Sequence, residues 1–361
     1  MTERIVSSAD ISAEPIALGQ EAGKLGLYGG LETPFSSDVI ELSPVHVRQI
    51  EAYAAQAASN FMPLDADTPE PTFAQQELGV PSLIVRIDCT VVDNKIVAYE
   101  MEDSPSGQGI SHRVHRQLGG AGIRDTIRGH YEKHIGAVPH VIVAGARNHG
   151  TDDHLIVGER NYTYDTDTTI AVPDDAFVII KAIPGDPRSA KPYLHLQQRT
   201  LAPLVSEGDK TYQERIGDLT RVQTPMDLLR RDTDNELASQ ALKARIGSMA
   251  MGICMYLHPD DRKTHGKKGI VTASRLENTI DTFTQAKNGA LTQPFAPPIR
   301  LENPEGRSNA IMRVFTLLER KGGTIHATAI GGGYVARPEL IVHGASNAVL
   351  GAVTVPEGLA A

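Results

Sequence analysis

Between residues 82 and 103 the chain alternates apolar and polar side chains on both sides of Asp93-Asn94-Lys95. A period of two predicts two strands joined as a β-hairpin. Loop length sets which residues face each other. A two-residue loop, Asp93-Asn94, places Asp88 opposite Tyr99, and both faces then mix charged with apolar groups. A three-residue loop, Asp93 to Lys95, pairs Val92 with Ile96, Asp88 with Glu100 and Arg86 with Glu102. Val85, Ile87, Cys89, Val91, Val97, Tyr99 and Met101 then form one apolar face. The longer loop is favoured, because Asn94 tolerates the left-handed conformation such a loop needs.

Other elements follow from the same reading. Val45, Val47, Ile50, Tyr53, Ala54 and Ala57 predict a helix over 44–60, with Ser43 as its cap. A second helix is expected over 123–135. Short apolar runs at His140–Ala144 and Phe177–Lys181 read as buried strands, and Ala290–Phe295 as a strand ending at Pro297-Pro298. Further strands are expected at Ala310–Leu318, Thr324–Ala329, Tyr334–Arg337 and Leu340–His343. The triplet Gly331-Gly332-Gly333 reads as a bulge or sharp turn between strands. The first 40 residues, interrupted by Gly26, Gly29, Gly30 and Pro34, read as irregular. The polar stretch 206–243 is expected to carry surface helices, and 270–287 to pass from strand to helix.

The hairpin's second face carries the chemistry. In the favoured register it gathers Arg86, Asp88, Glu100 and Glu102. Directly opposed residues have Cβ atoms ~4.5–5.5 Å apart, so like charges there repel unless a cation stands between them. A divalent ion supplies that charge, and Mg2+ prefers a few carboxylate oxygens, waters and substrate phosphates. Arg86 offsets part of the repulsion and is suited to holding a phosphate. The following segment, Ser104-Pro-Ser-Gly-Gln-Gly109, is built of small residues that let a ligand approach the backbone.

These residues resemble the ATP-grasp superfamily, in particular its circularly permuted branch of glutathionylspermidine-synthase-like proteins and peptide ligases. Arg86-Ile-Asp88 and Glu100-Met-Glu102 are similar to the family's metal-binding strands, but stand early in the chain, as permutation implies. Glu102 stands where the family usually has Asn. Phe177-Val-Ile-Ile-Lys181 and the segment running on to Lys191 resemble the strand-end lysine and phosphate-covering loop. Leu291-Thr-Gln293-Pro-Phe295-Ala-Pro-Pro298 resembles the hinge strand that meets adenine, and Met312-Arg313 the strand whose arginine faces the transferred phosphate.

The resemblance implies an α+β fold in which two lobes with antiparallel sheets clamp ATP beside a small α/β substrate region, in permuted order. Residues 1–110 would form the N-terminal segment and metal-binding hairpin lobe, and 111–165 the substrate region. Residues 166–300 would form the ATP lobe, and 301–361 the strands completing the catalytic lobe. Asp88, Glu100 and Glu102 would hold Mg2+; Lys181, Lys191, Gln293 and Phe295 would contact ATP; Arg86 and Arg313 would act on the transferred phosphate. The implied activity joins a small-molecule or peptide carboxylate to an amine through an acylphosphate. A non-catalytic nucleotide-binding relative and an ATP-dependent phosphotransferase are the rival readings.

Composition narrows the alternatives. Of 361 residues, 33 are glycine and 22 proline, which suits a loop-rich α/β protein. The formal charge of −9 and the absence of Trp argue against nucleic acid as a main partner. Two cysteines, Cys89 and Cys254, build neither a disulfide framework nor a thiolate zinc site, and both sit in apolar surroundings. His112/His115 and His130/His134 have helix-compatible spacings without a zinc-protease motif, and exposed helix faces are the expectation. No basic-then-apolar leader and no run approaching ~18 apolar residues is visible, so a cytoplasmic protein without membrane contact is expected.

Overall fold

A computed structural model describes residues 4–11, 16–17, 21–26, 32–61, 71–144, 152–165, 172–181, 191–203, 239–244, 253–258, 290–303, 306–338 and 348–358, with short pieces at 213, 216, 220–221, 270–271, 278–282 and 285. The fold is mixed α+β with largely antiparallel sheets.

The centre is a long antiparallel pair, Gly306–Lys321 and Thr324–Arg337. Gly322 and Gly323 turn the chain between them with φ of 56° and 86°, the left-handed values of a two-residue hairpin loop. The two strands expected at 324–329 and 334–337 are therefore one strand. Its register shifts opposite Phe315/Thr316, where Gly331 adopts φ 92°, so the glycine triplet marks a bulge. Glu51 of the helix Pro44–Asn60 accepts the Ala329 N–H at 3.1 Å next to that bulge.

The strand Gly306–Lys321 has two partners along its other edge: Ile299–Asn303 on its first half and the hairpin strand Ile84–Val92 on its second. Beyond Thr324–Arg337 lie Val349–Thr354 and then Glu32–Glu41, the last pairing in parallel with Arg4–Ser7. The N-terminal region is thus not irregular as expected. Arg4 reaches buried Asp38 at 2.8 Å across that parallel pair.

Helix Pro44–Asn60 matches its predicted bounds, and the Ser43 hydroxyl accepts the His46 N–H. Val45 is exposed, and His46 is buried in its stead. His46 Nδ1 accepts from Ser8 Oγ at 2.7 Å, and Nε2 donates to the Asn94 carbonyl at 3.1 Å, tying helix, N-terminal strand and hairpin turn together. The opposite face of the sheet, carrying Phe35, Val39 and Ala352, packs on Val114 of a helix Gln108–Gln117, whose bounds were not read from the sequence. It carries the helix-spaced His112 and His115, which are buried, as is His130, and not exposed as expected. A third helix, Arg124–Ile135, agrees with expectation.

Two smaller sheets complete the described structure. His140–Ala144 lies between Tyr162–Asp165 and Val178–Lys181 in a three-stranded parallel sheet. A five-stranded sheet places Ala290–Pro294 between Thr220–Arg221 and Gln240–Ala244, followed by Ile253–Tyr256 and Ile270–Val271. Residues 220–221 and 240–243 are therefore strand, not the expected surface helix; most of that stretch, and the strand expected at 340–343, lie outside the described residues. Among the described residues, no helix is long and apolar enough to cross a membrane.

Candidate functional site

The hairpin Ile84–Val92/Lys95–Glu102 has the predicted far register by a different route. Val92 pairs with Lys95, so the loop is the two-residue one, and Asp93 and Asn94 both have positive φ, 49° and 58°. Asp88 nonetheless faces Glu100, and Arg86 faces Glu102, because a bulge between Asp88 and Cys89 adds one residue to the second strand. A two-residue turn plus one bulged residue has the same offset as a three-residue loop. Past the bulge the faces exchange: Ala98 pairs with Cys89 and is buried, whereas Val97 and Tyr99, expected in the core, are only half-buried.

One row of cross-strand partners places the site. It runs Glu100, Asp88, Arg313, Gly333, Ala352, Val39 across six strands. Directly paired residues share a face. The row therefore begins with two acids and a guanidinium, passes a glycine and ends in the apolar patch under helix Gln108–Gln117. A Cβ on Gly333 would lie 3.1 Å from Ser111 Oγ, so the glycine lets that helix settle close to the sheet.

Asp88, Glu100 and Glu102 each offer an oxygen, and the three lie within 4.8 Å of one another. Arg86 is buried among them. Its Nε and Nη2 donate to the two oxygens of Asp88 at 2.6 and 3.1 Å, Nη2 also bonds Glu102, and Nη1 donates to the Ser106 carbonyl at 2.8 Å. Arg313 Nε lies 3.6 Å from Asp88 Oδ2 and, though buried, has no hydrogen-bond partner of its own.

Charge and burial oppose each other here. Burial pushes the Glu102 carboxyl up to about 7, with Arg86 pulling it down and Asp88 and Glu100 raising it further. Burial would lower the Arg86 guanidinium, but the charges of Asp88 and Glu102 outweigh it, and the net shift is upward. Burial, followed by the charge of Arg86, lowers Arg313. Three carboxylates share two guanidiniums, so the cluster has the charge and the all-oxygen donor set that suit a hard divalent cation. Carboxylate oxygens engaged by Arg86 retain lone pairs for such an ion.

The other sequence-predicted residues fall into different places. Lys181 is buried; its Nζ donates to the Pro105 carbonyl at 2.6 Å and lies 2.9 Å from Asp153 Oδ2. Pro105 neighbours the Ser106 carbonyl that Arg86 holds, so Lys181 joins the cluster through the loop. Gln293 is buried and donates to the Ala98 carbonyl at 2.9 Å, leaving its own Oε1 without a partner. The Phe295 N–H donates to the Ser239 carbonyl at 2.9 Å. Lys191 is exposed at the start of a 3-10 run, Lys191–Arg199, and no contact among the described residues brings it to the cluster.

The reading from sequence missed Lys243, Gln213 and Tyr99. The bulge turns the Tyr99 carbonyl toward the five-stranded sheet, where it accepts from Lys243 Nζ at 2.6 Å and Gln213 Nε2 at 2.8 Å. Tyr99 Oη donates to the Ala296 carbonyl at 3.1 Å, and Thr90 Oγ1 to Pro297 at 3.0 Å. A bulged backbone is thus the seat of the second sheet on the acidic hairpin. Lys243, inside Gln-Ala-Leu-Lys-Ala, carried no signal beyond its place in an alternating run.

No protein-family model and no curated protein matches this chain. Several solved structures are similar in part. A candidate gamma-glutamylcysteine synthetase from Methylobacillus flagellatus superposes with a TM-score of 0.40 at 10% identity, covering 75% of this chain and 78% of that one. D-alanyl-alanine synthetase A from Vibrio cholerae superposes with a TM-score of 0.31 at 15% identity, covering 56% and 68%.

Proposed function

We propose that this chain is an ATP-dependent ligase that joins a carboxylate to an amine, with Asp88, Glu100 and Glu102 holding Mg2+. The observation that carries the reading is the convergence of these three acids with Arg86 and Arg313 on two neighbouring rows of the sheet, Glu100–Asp88–Arg313 and Glu102–Arg86. A bound Mg2+ would neutralise phosphate charge and fix the angle of the terminal phosphoryl group.

The chain's own residues have separate tasks in this reading. Arg313 would attract the anionic oxygens of the transferred phosphoryl group, a role supported by its Nε having no hydrogen-bond partner. Arg86 holds Asp88 and Glu102 in fixed rotamers through a planar fork that a lysine cannot reproduce. The five-stranded sheet, seated on the hairpin through Lys243 at the Tyr99 carbonyl and Gln293 at the Ala98 carbonyl, would cover the nucleotide. A substrate carboxylate oxygen would attack the γ-phosphorus as the bond to the nucleotide breaks, leaving an acylphosphate. An amine would then attack the acyl carbon, lose a proton and expel orthophosphate, leaving an amide. The acylphosphate route is what the ATP-grasp resemblance implies.

Asp88→Asn and Glu100→Gln are both expected to lower ATP turnover at least a hundredfold. Glu100→Gln should keep a melting temperature near wild type, whereas Asp88→Asn, which breaks the buried pair with Arg86, should keep the circular dichroism spectrum of the fold but melt lower. Turnover is read as orthophosphate and amide released over a panel of acids and amines. Wild-type rates in either variant would remove the assignment. One observation favours a second reading: Arg86 already neutralises Asp88 and Glu102, as it would in a nucleotide sensor that has lost turnover. Calorimetric ATP binding with no product over the same panel would select that reading. A phosphoester product would select a phosphotransferase.

A further inference from the structure

We infer that Lys181 is a positioning residue for the carboxylate cluster, holding the loop after Glu102 in place, and is not a contact to nucleotide phosphate. The inference rests on the reading of Asp88, Glu100 and Glu102 as a metal site, and it deepens that reading.

The loop leaving Glu102 is fixed at three consecutive residues. The Pro105 carbonyl accepts from Lys181 Nζ at 2.6 Å and from Gln108 Nε2 at 3.3 Å. The Ser106 carbonyl accepts from Arg86 Nη1 at 2.8 Å. The Gly107 N–H donates to Asp152 Oδ1 at 3.3 Å, and Asp152 Oδ2 accepts from Ile110 N at 2.9 Å. Only the middle anchor belongs to the hairpin. The outer two come from the small parallel sheet and from the segment before helix His154–Val157.

Lys181 is itself locked. Its side chain is 4% exposed, as is that of Asp153, which lies 2.9 Å from Nζ. A lysine that reached a solvent-filled cleft to meet phosphate would have to leave a buried carboxylate unpaired, which is strongly unfavourable. Its geometry suits a different task. By fixing the Pro105 carbonyl it fixes the next carbonyl, Ser106, and so one arm of the Arg86 fork. The other arms of that fork orient Asp88 and Glu102. Groups that orient metal ligands typically alter metal affinity 10–100-fold when removed.

The test uses the full-length protein with Lys181→Met and with the double variant Lys181→Met/Asp153→Asn, which removes both buried charges together and so keeps the packing. Mn2+ binding is measured by electron paramagnetic resonance without nucleotide. Binding of a non-hydrolysable ATP analogue is measured separately at saturating Mn2+. Thermal melts check the fold. The inference expects the double variant to melt near wild type, to bind Mn2+ about tenfold more weakly, and to bind the analogue within about threefold of wild type once Mn2+ is saturating. An unchanged Mn2+ affinity would overturn it, whether analogue binding is also unchanged or is weakened tenfold as for a phosphate contact. If wild type binds no Mn2+, the metal-site reading itself fails, and the positioning role fails with it.

Discussion

At the scale of single residues, Arg86 decides how the cluster behaves. A buried guanidinium with hydrogen bonds to two carboxylates and a carbonyl is a countercharge built into the sheet. Without it, buried Asp88 and half-buried Glu102 would lie beside Glu100 with Arg313 as the remaining guanidinium at the cluster among the described residues. Removing one partner of a buried ion pair costs about 3–5 kcal/mol. Arg86→Met is therefore expected to lose stability of that order in metal-free buffer. Millimolar Mg2+ should return part of it, because an ion between the acids replaces the lost charge. Urea denaturation with and without Mg2+ reads both effects. A variant insensitive to Mg2+ would mean that the acids do not form a joint cation site. Gly333 acts by what it lacks, since a side chain there would meet Ser111 and the Gly351 carbonyl, 3.0 Å away.

At the scale of elements, the hairpin owes its facing acids to two compensating irregularities. The Asp93-Asn94 turn takes positive φ at both residues, as the favoured two-residue loop demands. The bulge near Tyr99 then restores the offset that aligns Asp88 with Glu100. Asn94→Val places a β-branched residue at φ 58° and is expected to destabilise the protein by about 1–2 kcal/mol. Asn94→Gly should be neutral or slightly stabilising. Chemical denaturation of the two variants separates a backbone effect from loss of the asparagine side chain; equal losses in both would contradict the turn assignment. This element also marks how far the sequence could be read. The apolar alternation was sufficient to pair Asp88 with Glu100, because burial of Val85, Ile87 and Cys89 fixes the face. It was not sufficient to distinguish a three-residue loop from a shorter loop plus a bulge, since both leave the same residues opposed from Asp88/Glu100 outward and differ only between the bulge and the turn. Tyr99 and Val97 were misplaced for that reason alone.

At the scale of the whole molecule, pairing between distant segments was the part the sequence concealed. Arg4–Ser7 and Glu32–Glu41 carry weak local patterns, and their strand character depends on parallel partners: each other, and Val349–Thr354 far along the chain. Helix Pro44–Asn60 was legible to the residue because cap, period and length agree locally. The bounds of helix Gln108–Gln117 were not, although His112 and His115 had a helical spacing, because its N-cap is Gly107 with φ 91° and no side-chain cap announces it. Lys243 and Gln213 could not be found from sequence, since their partner is a backbone carbonyl turned outward by the bulge. The resulting molecule seats a five-stranded sheet on an acidic hairpin and anchors the loop beyond that hairpin to a third sheet. The account depends on Asp88, Glu100 and Glu102 forming one cation site beside bound nucleotide. Anomalous diffraction from a crystal grown with Mn2+ and a non-hydrolysable ATP analogue tests this directly. The expected result is a manganese peak ligated by these three carboxylates and by analogue phosphate oxygens, absent in a Glu100→Gln crystal. Manganese bound elsewhere, or retained unchanged in Glu100→Gln, would contradict it.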